Sequence, residues 1–305
     1  MSTPKRHHYL PQFYLKEFAD PSDKVWLYDR ETGKLWHTHV KDVCVETHYY
    51  SITKPDGSKD PSLEKIFSGM ESKAKNVIDK LNKNEPITEE EKAELAMFIA
   101  FQFVRVPGFE HEINDNAEKI MKKMAEVAFC SEERAKIMLS KHKETNAKEH
   151  VEVTPKELVE FVKKDGYNIV FNREFSLAMS VKLSREFYDL FMQMNWVFLM
   201  APKDKAFVTS DNPFMLLPPK NYKPGIYGVG LITEGAKKII PLSSRVCLYM
   251  GDHGNNVLGY KVQLQDLKSI NLNGAVNSTR YVIARDKALL EKIIKTTRLD
   301  QKSKK

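Results

Sequence analysis

The chain has 305 residues, 42% hydrophobic and 29% charged, with a formal net charge of +7; at about 100–200 residues per domain it makes one large domain or two small ones. Sixteen Phe, twelve Tyr, three Trp and twelve Met are enough to fill a sizeable core, which excludes intrinsic disorder. The longest near-continuous apolar stretch, Leu95 to Val106, is broken by Gln102 and Arg105 and falls short of the about 18–20 residues of a membrane span, so no membrane partner is expected.

MSTPKRHHYLPQFYL has no apolar run ending in a small-residue cleavage site, and Cys44, Cys130 and Cys247 are odd in number and far apart. Both observations point to a soluble cytoplasmic protein without a disulfide framework or a Cys-based zinc site. The positive charge is spread over helix faces (Lys73, Lys75, Lys80, Lys83) and the tail. That distribution suits a solvated surface and permits an anionic partner without demanding one.

Pro11 can open a short helix carrying Phe13, Tyr14, Leu15 and Phe18, closed by Asp20-Pro21. Residues 25–30 and 34–40 are β-rich runs around Glu31-Thr32-Gly33, a hairpin signal. VETHYYSI is a further extended piece, ending at a Pro55-Asp56-Gly57 turn. From Pro61 to about Asn195 the period becomes helical. Leu63, Ile66, Phe67, Met70, Ala74, Val77, Ile78 and Leu81 form one amphipathic stripe. Thr88 with Glu91 starts a second helix that should stop at Pro107-Gly108, and Thr154-Pro155-Lys156-Glu157 starts another through Lys164. Helices over about 109–129, 131–146 and 170–194 complete this section. Residues 196–200 and 205–210 then flank Pro202-Lys203-Asp204 as a hairpin candidate. A Pro- and Gly-rich loop (218–235) leads to strands in KKIIPL and RVCLYM, a helix over 263–276, a strand at 281–284 and a helix over 286–297. The fold class is therefore α+β, with N- and C-terminal strands enclosing a largely helical middle and the termini sharing a sheet. The organisation expected is a single α+β domain over 1–305 with a helical insertion at approximately 61–195.

Three places carry candidate chemistry. In Arg6-His7-His8-Tyr9-Leu10-Pro11-Gln12 an imidazole could act as acid, base or metal ligand. Adjacent His residues in an extended segment point to opposite faces, and a packed, backbone-bonded His is the plainer alternative. Gln102 and Arg105, three apart on an otherwise apolar helix, share a face. A buried guanidinium needs a partner, which could be Glu71, Asp211 or a substrate phosphate. FVTSDNPF places Ser210, Asp211 and Asn212 at a strand end, where turn-forming and catalytic roles are both common. Neither a P-loop nor a GxGxxG, HExxH, GxSxG or CxxC pattern occurs; Gly225, Gly228 and Gly230 belong to a loop. His37 and His39 share a strand face, but nothing supplies a third metal ligand.

HHYLPQFYLKEFA resembles the opening of the bacterial domain of unknown function 4238 family, which begins with an HHYxPQFYLxxF segment. Glu71, FQFVRVP with Gln102 and Arg105, FVTSDNP with Asp211, and PLSS at 241–244 are similar to later segments of that family, over roughly residues 6 to 285. The match departs at FVRVP, where an RTP-like ending is expected. The resemblance implies that His7, His8, Gln102, Arg105 and Asp211 meet at one site, and supplies no activity.

The composition of such a site suits phosphodiester cleavage: His as base or acid, Arg as clamp, and carboxylates to orient groups or bind a divalent metal. The candidate catalytic set is His7, His8, Glu71, Gln102, Arg105 and Asp211. Tyr9, Gln12, Ser210 and Asn212 are candidates for substrate binding, and metal ligands stay open. The expectation is a nuclease- or nucleotide-phosphodiesterase-like hydrolase acting on nucleic acid or a nucleotide, and the resemblance suggests an effector in bacterial conflict or phage defence. The alternative is a non-enzymatic nucleic-acid- or protein-binding module in which His, Gln, Arg and Asp form a buried structural network. Geometry separates the two: an enzyme gathers these groups around an open pocket, whereas a structural network is sealed and mutually satisfied.

Overall fold

The computed structural model describes residues 6–47, 49, 52–53, 59–60, 62–145, 152–223, 228–252 and 256–299. The chain begins with β1 (Arg6–His8), α1 (Gln12–Lys16), β2 (Lys24–Asp29), β3 (Leu35–His39) and β4 (Val45–Thr47), followed by the short strands β5 (Ile52–Thr53) and β6 (Lys59–Asp60). The helical middle comprises α2 (Ser62–Asn82), α3 (Glu89–Val104), α4 (Pro107–Ala128), α5 (Glu132–Thr145), α6 (Pro155–Lys163) and α7 (Arg173–Gln193). Then come β7 (Asn195–Met200), β8 (Thr209–Ser210), β9 (Met215–Leu217), β10 (Lys237–Pro241), β11 (Val246–Gly251), β12 (Val257–Lys261), α8 (Leu264–Asn277), β13 (Tyr281–Ala284) and α9 (Lys287–Thr297). The fold is α+β, in the arrangement the sequence implies. The turn expected at Pro55-Asp56-Gly57 lies outside the described residues, as do Gly225 of the 218–235 loop and the basic tail.

A four-stranded sheet in the order β3-β2-β13-β8 joins the two ends of the chain. The β2–β3 hairpin turns where Asp29 Oδ1 accepts from the Glu31 and Thr32 N–H groups (2.8 and 3.3 Å) and Gly33 adopts φ +68°. β13 runs antiparallel to β2, with Tyr281 opposite Asp29 and Ala284 opposite Trp26. Tyr28, Val208, Ala275, Val282, Ala284 and Leu290 are buried in one cluster.

The second sheet has the order β12-β7-β11-β10-β9. Phe207, Met215, Ile239, Cys247, Val262 and Ile270 form its cluster. Here the strands depart from the expected pairing. β7 lies between β11 and β12, whereas the strand expected over 205–210 survives only as β8 in the other sheet. The connecting chain is held by the β10–β11 turn, since Ala201 N–H donates to Arg245 O and Phe207 N–H to Ser244 O, both at 2.9 Å. A better-matched long partner, β11, thus outcompetes the local hairpin. α3 ends at Val104, just short of the stop expected at Pro107-Gly108, and Pro107 itself opens α4, because the missing N–H is harmless in a first turn.

Thr88 caps α3 with a complete capping box, Thr88 Oγ1 accepting from Glu91 N–H and Glu91 accepting from Thr88 N–H. Thr154 does the same for α6. The chain divides into two units, one of Met1–Glu110 with Leu177–Lys305, the other of His111–Ser176. The smaller unit packs α5 on α6 and stacks Phe161 on Tyr167 at 5.0 Å. No helix among the described residues is long and apolar enough to cross a membrane.

Candidate functional site

β1 pairs antiparallel with β4, placing His7 opposite Glu46 and His8 opposite Val45. Tyr9 N–H extends the pairing to Cys44 O at 3.0 Å. Leu10 and Pro11 are buried, and Pro11 starts α1 by accepting from Leu15 N–H at 3.0 Å. Tyr14 anchors this helix from beneath. Its hydroxyl donates to Pro241 O (2.8 Å), so at 2.7 Å Thr209 Oγ1 is the donor to it.

A cleft of about 480 Å³ lies between this segment and α2, lined by Arg6, His7, His8, Gln12, Glu71 and Lys75 among others. Pro11, Phe13 and Phe67 give it an apolar wall. His8 Nε2 lies 3.1 Å from Lys41 O. A carbonyl only accepts, so Nε2 carries the proton and the neutral ring keeps Nδ1 as its acceptor. Burial, opposed by that hydrogen bond, holds the His8 pKa below its usual value, and Glu71 is near enough to act on it. His8 is half-buried, while His7 is 3% exposed. Arg6 and Lys75 pair with exposed carboxylates, Asp42 at 3.2 Å and Asp79 at 2.5 Å, and surface pairs of this kind contribute little energy.

Beneath the cleft runs a chain of polar contacts. Gln102 Nε2 donates to Tyr9 O (3.4 Å), Arg105 Nη2 donates to Gln102 Oε1 (2.6 Å), and Arg105 Nη1 donates to Glu71 Oε1 (2.8 Å). The guanidinium carbon lies 5.7 Å from the Phe67 ring centroid and 5.9 Å from that of Phe98. Arg105 Nε has no hydrogen-bond partner. Of the possible partners for Arg105, the structure selects Glu71, and the network ties the residue after His8 to the carboxylate across the cleft.

Asp211 sits elsewhere. Its two oxygens accept from Thr279 N–H (2.9 Å) and Arg280 N–H (2.7 Å), and its own N–H donates to Tyr281 O. Burial pushes its pKa up to about 6, against these backbone donors. Ser210 Oγ donates to Asn212 O, Asn212 Nδ2 to Asn277 O, and Asn277 Nδ2 back to Asn212 O. Ser210, Asp211 and Asn212 thus fasten the end of β8 to the α8–β13 turn. Tyr9, 5% exposed, hydrogen-bonds through its side chain to Cys44, and the negative charge of Asp211 acts on both. Burial moves the Tyr9 hydroxyl and the Cys44 thiol far above their usual pKa values.

The candidate residues therefore fall into two groups. His7, His8, Gln12 and Glu71 line an open cleft, with Tyr9, Gln102 and Arg105 linked behind it, whereas Ser210, Asp211 and Asn212 hold the end of β8 to the α8–β13 turn. Arg6, Phe13, Phe67, Ser68, Ser72 and Lys75 also line the cleft and were not among the candidates. Four of the lining residues, Ser68, Glu71, Ser72 and Lys75, recur at helical spacing on α2, a polar stripe that could have marked the face. His37 Nε2 pairs with Asp20 (3.0 Å) and its ring stacks on Trp26 at 4.8 Å. His39 Nδ1 accepts from Lys41 N–H. Among the described residues no group of three His, Cys, Asp or Glu side chains is placed to hold a metal ion.

A family model described as Protein of unknown function (DUF4238) matches residues 6–288, and the chain belongs to that family. No curated protein and no solved structure matches it.

Proposed function

We propose that this member of the DUF4238 family hydrolyses a phosphodiester bond in the cleft between β1 and α2. The observation that supports this reading is the meeting of His8, held as the neutral Nε2–H tautomer, with Glu71, Arg6 and Lys75 around one open cavity. In this reading Nδ1 of His8 takes the proton of a water whose oxygen bonds to phosphorus, the P–O bond to the leaving alcohol breaks, and the His8 imidazolium returns that proton to the leaving oxygen. Arg6 and Lys75 meanwhile exchange their weak surface pairs for the phosphoryl oxygens. Glu71, fixed by Arg105, orients the reacting groups. Gln102 and Arg105 are positioning residues, and Asp211 is a structural one. A nucleotide or nucleic-acid substrate fits the apolar wall beside the cations, and three free cysteines accord with a cytoplasmic setting. An effector role in bacterial conflict would follow from cleavage of such a substrate.

The test is a cleavage screen against single-stranded DNA, RNA, cyclic nucleotides and bis(p-nitrophenyl) phosphate, with magnesium, with manganese and with chelator. Wild-type turnover that His8→Ala abolishes while circular dichroism is unchanged supports the proposal. Absence of turnover under every condition, or full activity in His8→Ala, overturns it. The sealing of Gln102, Arg105, Ser210 and Asp211 favours a second reading, a cleft that binds nucleotides without cleaving them. Binding without turnover in the same screen would establish that one.

A further inference from the structure

A second, smaller cavity of about 180 Å³ lies between the start of α3 and the edge of the five-stranded sheet. Ile87, Lys92, Trp196, Phe198, Asn256 and Val257 are among its lining residues. Its walls are mostly apolar, with Trp196 1% and Phe198 5% exposed. Lys92 is 8% exposed. Its ammonium group donates to Met192 O at 3.3 Å, near the C-terminal end of α7, and lies 5.5 Å from the Trp196 ring centroid. A lysine carries three N–H donors, so one carbonyl leaves two unused. The ion pairs of the described residues give Lys92 no carboxylate partner, whereas Lys73 and Lys80 on α2 pair with Glu94 and Glu91 of α3. A carbonyl and an aromatic face solvate a buried cation in part; they do not neutralise it.

At the rim, Asn256 Oδ1 accepts from Trp196 N–H at 2.8 Å, which turns the Asn256 amide nitrogen into an available donor. Glu89 also lines the mouth. Its carboxylate repels a doubly charged anion more strongly than a singly charged one. The volume equals the share of about six liquid waters, at about 30 Å³ each, and so admits a molecule of roughly benzoate size.

We infer that this cavity binds a small apolar monocarboxylate, its head on Lys92 and Asn256 and its body against Trp196, Phe198, Ile87 and Val257. The site is distinct from the β1–α2 cleft, and its occupancy does not depend on whether that cleft is catalytic.

The test titrates benzoate, hexanoate and inorganic phosphate into the full chain while following the Trp196 indole N–H signal by NMR. Benzoate and hexanoate should give a saturable shift below about 10 mM, with phosphate at least about tenfold weaker. Lys92→Met should weaken benzoate by at least about tenfold. Val257→Phe, which fills the cavity and keeps the cation, should do the same, and serves if Lys92→Met does not fold. No saturable shift in wild type, or unchanged affinity in a folded variant, overturns the inference. So does a Lys92→Met protein that loses stability while wild type shows no carboxylate binding, because Lys92 is then a helix-capping group only.

Discussion

Removing the Arg105 side chain would leave the Glu71 carboxylate and the Gln102 amide oxygen without their shared donor. Loss of one member of a buried charged pair costs about 3–5 kcal/mol, and the partial exposure of Glu71 places Arg105→Ala near about 3 kcal/mol. Urea unfolding measures this, and an unchanged midpoint would contradict the network. Asp211 gives a pH signature. Its native pKa of about 6 exceeds the ordinary 3.8, so between those values the native state holds the proton more tightly than the unfolded chain. Stability therefore falls as pH rises from about 4 to 6, by about 3 kcal/mol from this group alone. His8 acts in the opposite sense: its lowered pKa means stability is lost as pH falls through the unfolded value near 6.5. Asp211→Asn separates the two. It should flatten the segment from pH 4 to 6 and, by leaving one backbone N–H of Thr279 or Arg280 without an acceptor, destabilise the neutral-pH protein by about 1–3 kcal/mol. Chemical denaturation at a series of pH values checks both effects; an unaltered profile in the variant would assign the slope to other groups. At this scale the i, i+3 spacing of Gln102 and Arg105 and its need for a partner were readable directly. The sealing of Asp211 was not, because the donors that enclose it come from residues 279–280, far along the chain, and nothing in SDNP announces them.

Among the elements, the helices whose ends carry their own chemistry were the most legible. The capping boxes of Thr88 and Thr154 act within four residues, so their signal is complete in the local sequence. Thr88→Ala should cost about 1 kcal/mol, seen as a lower denaturation midpoint with an unchanged slope; a loss no greater than the experimental scatter would mean the α2–α3 packing alone fixes the start of α3. Strands were less legible, because a strand records which face is apolar and not which neighbour it will find. β7 and β8 read as a hairpin and part into different sheets, and β9 and β12 gave no signal, being short or bent at Gly259 with φ +72°. α1 is the instructive intermediate. Its start at Pro11 was visible, while the reason it holds the cleft so firmly, Tyr14 bridging Thr209 and Pro241, joins positions about 200 residues apart. Tyr14→Phe should lower stability by about 1–2 kcal/mol by stranding a buried hydroxyl and a carbonyl. Thermal unfolding would show it, and a neutral outcome would mean both groups find other partners.

Across the whole molecule, the ends of the chain complete each other. β2 lies between β3 and β13, and the Asp29–Arg280 ion pair at 2.8 Å joins positions 251 apart. A chain stopped before Tyr281 would lack β13 and leave β2, with Trp26, Leu27 and Tyr28, as an open edge. Such a truncated protein should aggregate, as size-exclusion chromatography would reveal; a monomeric, cooperatively unfolding product would show that the β2–β3 hairpin and its cluster stand without β13. The same arrangement bears on synthesis in the cell. At about 5–20 residues per second, a ribosome needs about 13–50 s to reach Arg280 after Asp29 has left the peptidyl-transferase centre. Throughout that interval the nascent hairpin has no strand to close against, and holding it soluble falls to chaperones or to the speed of translation itself.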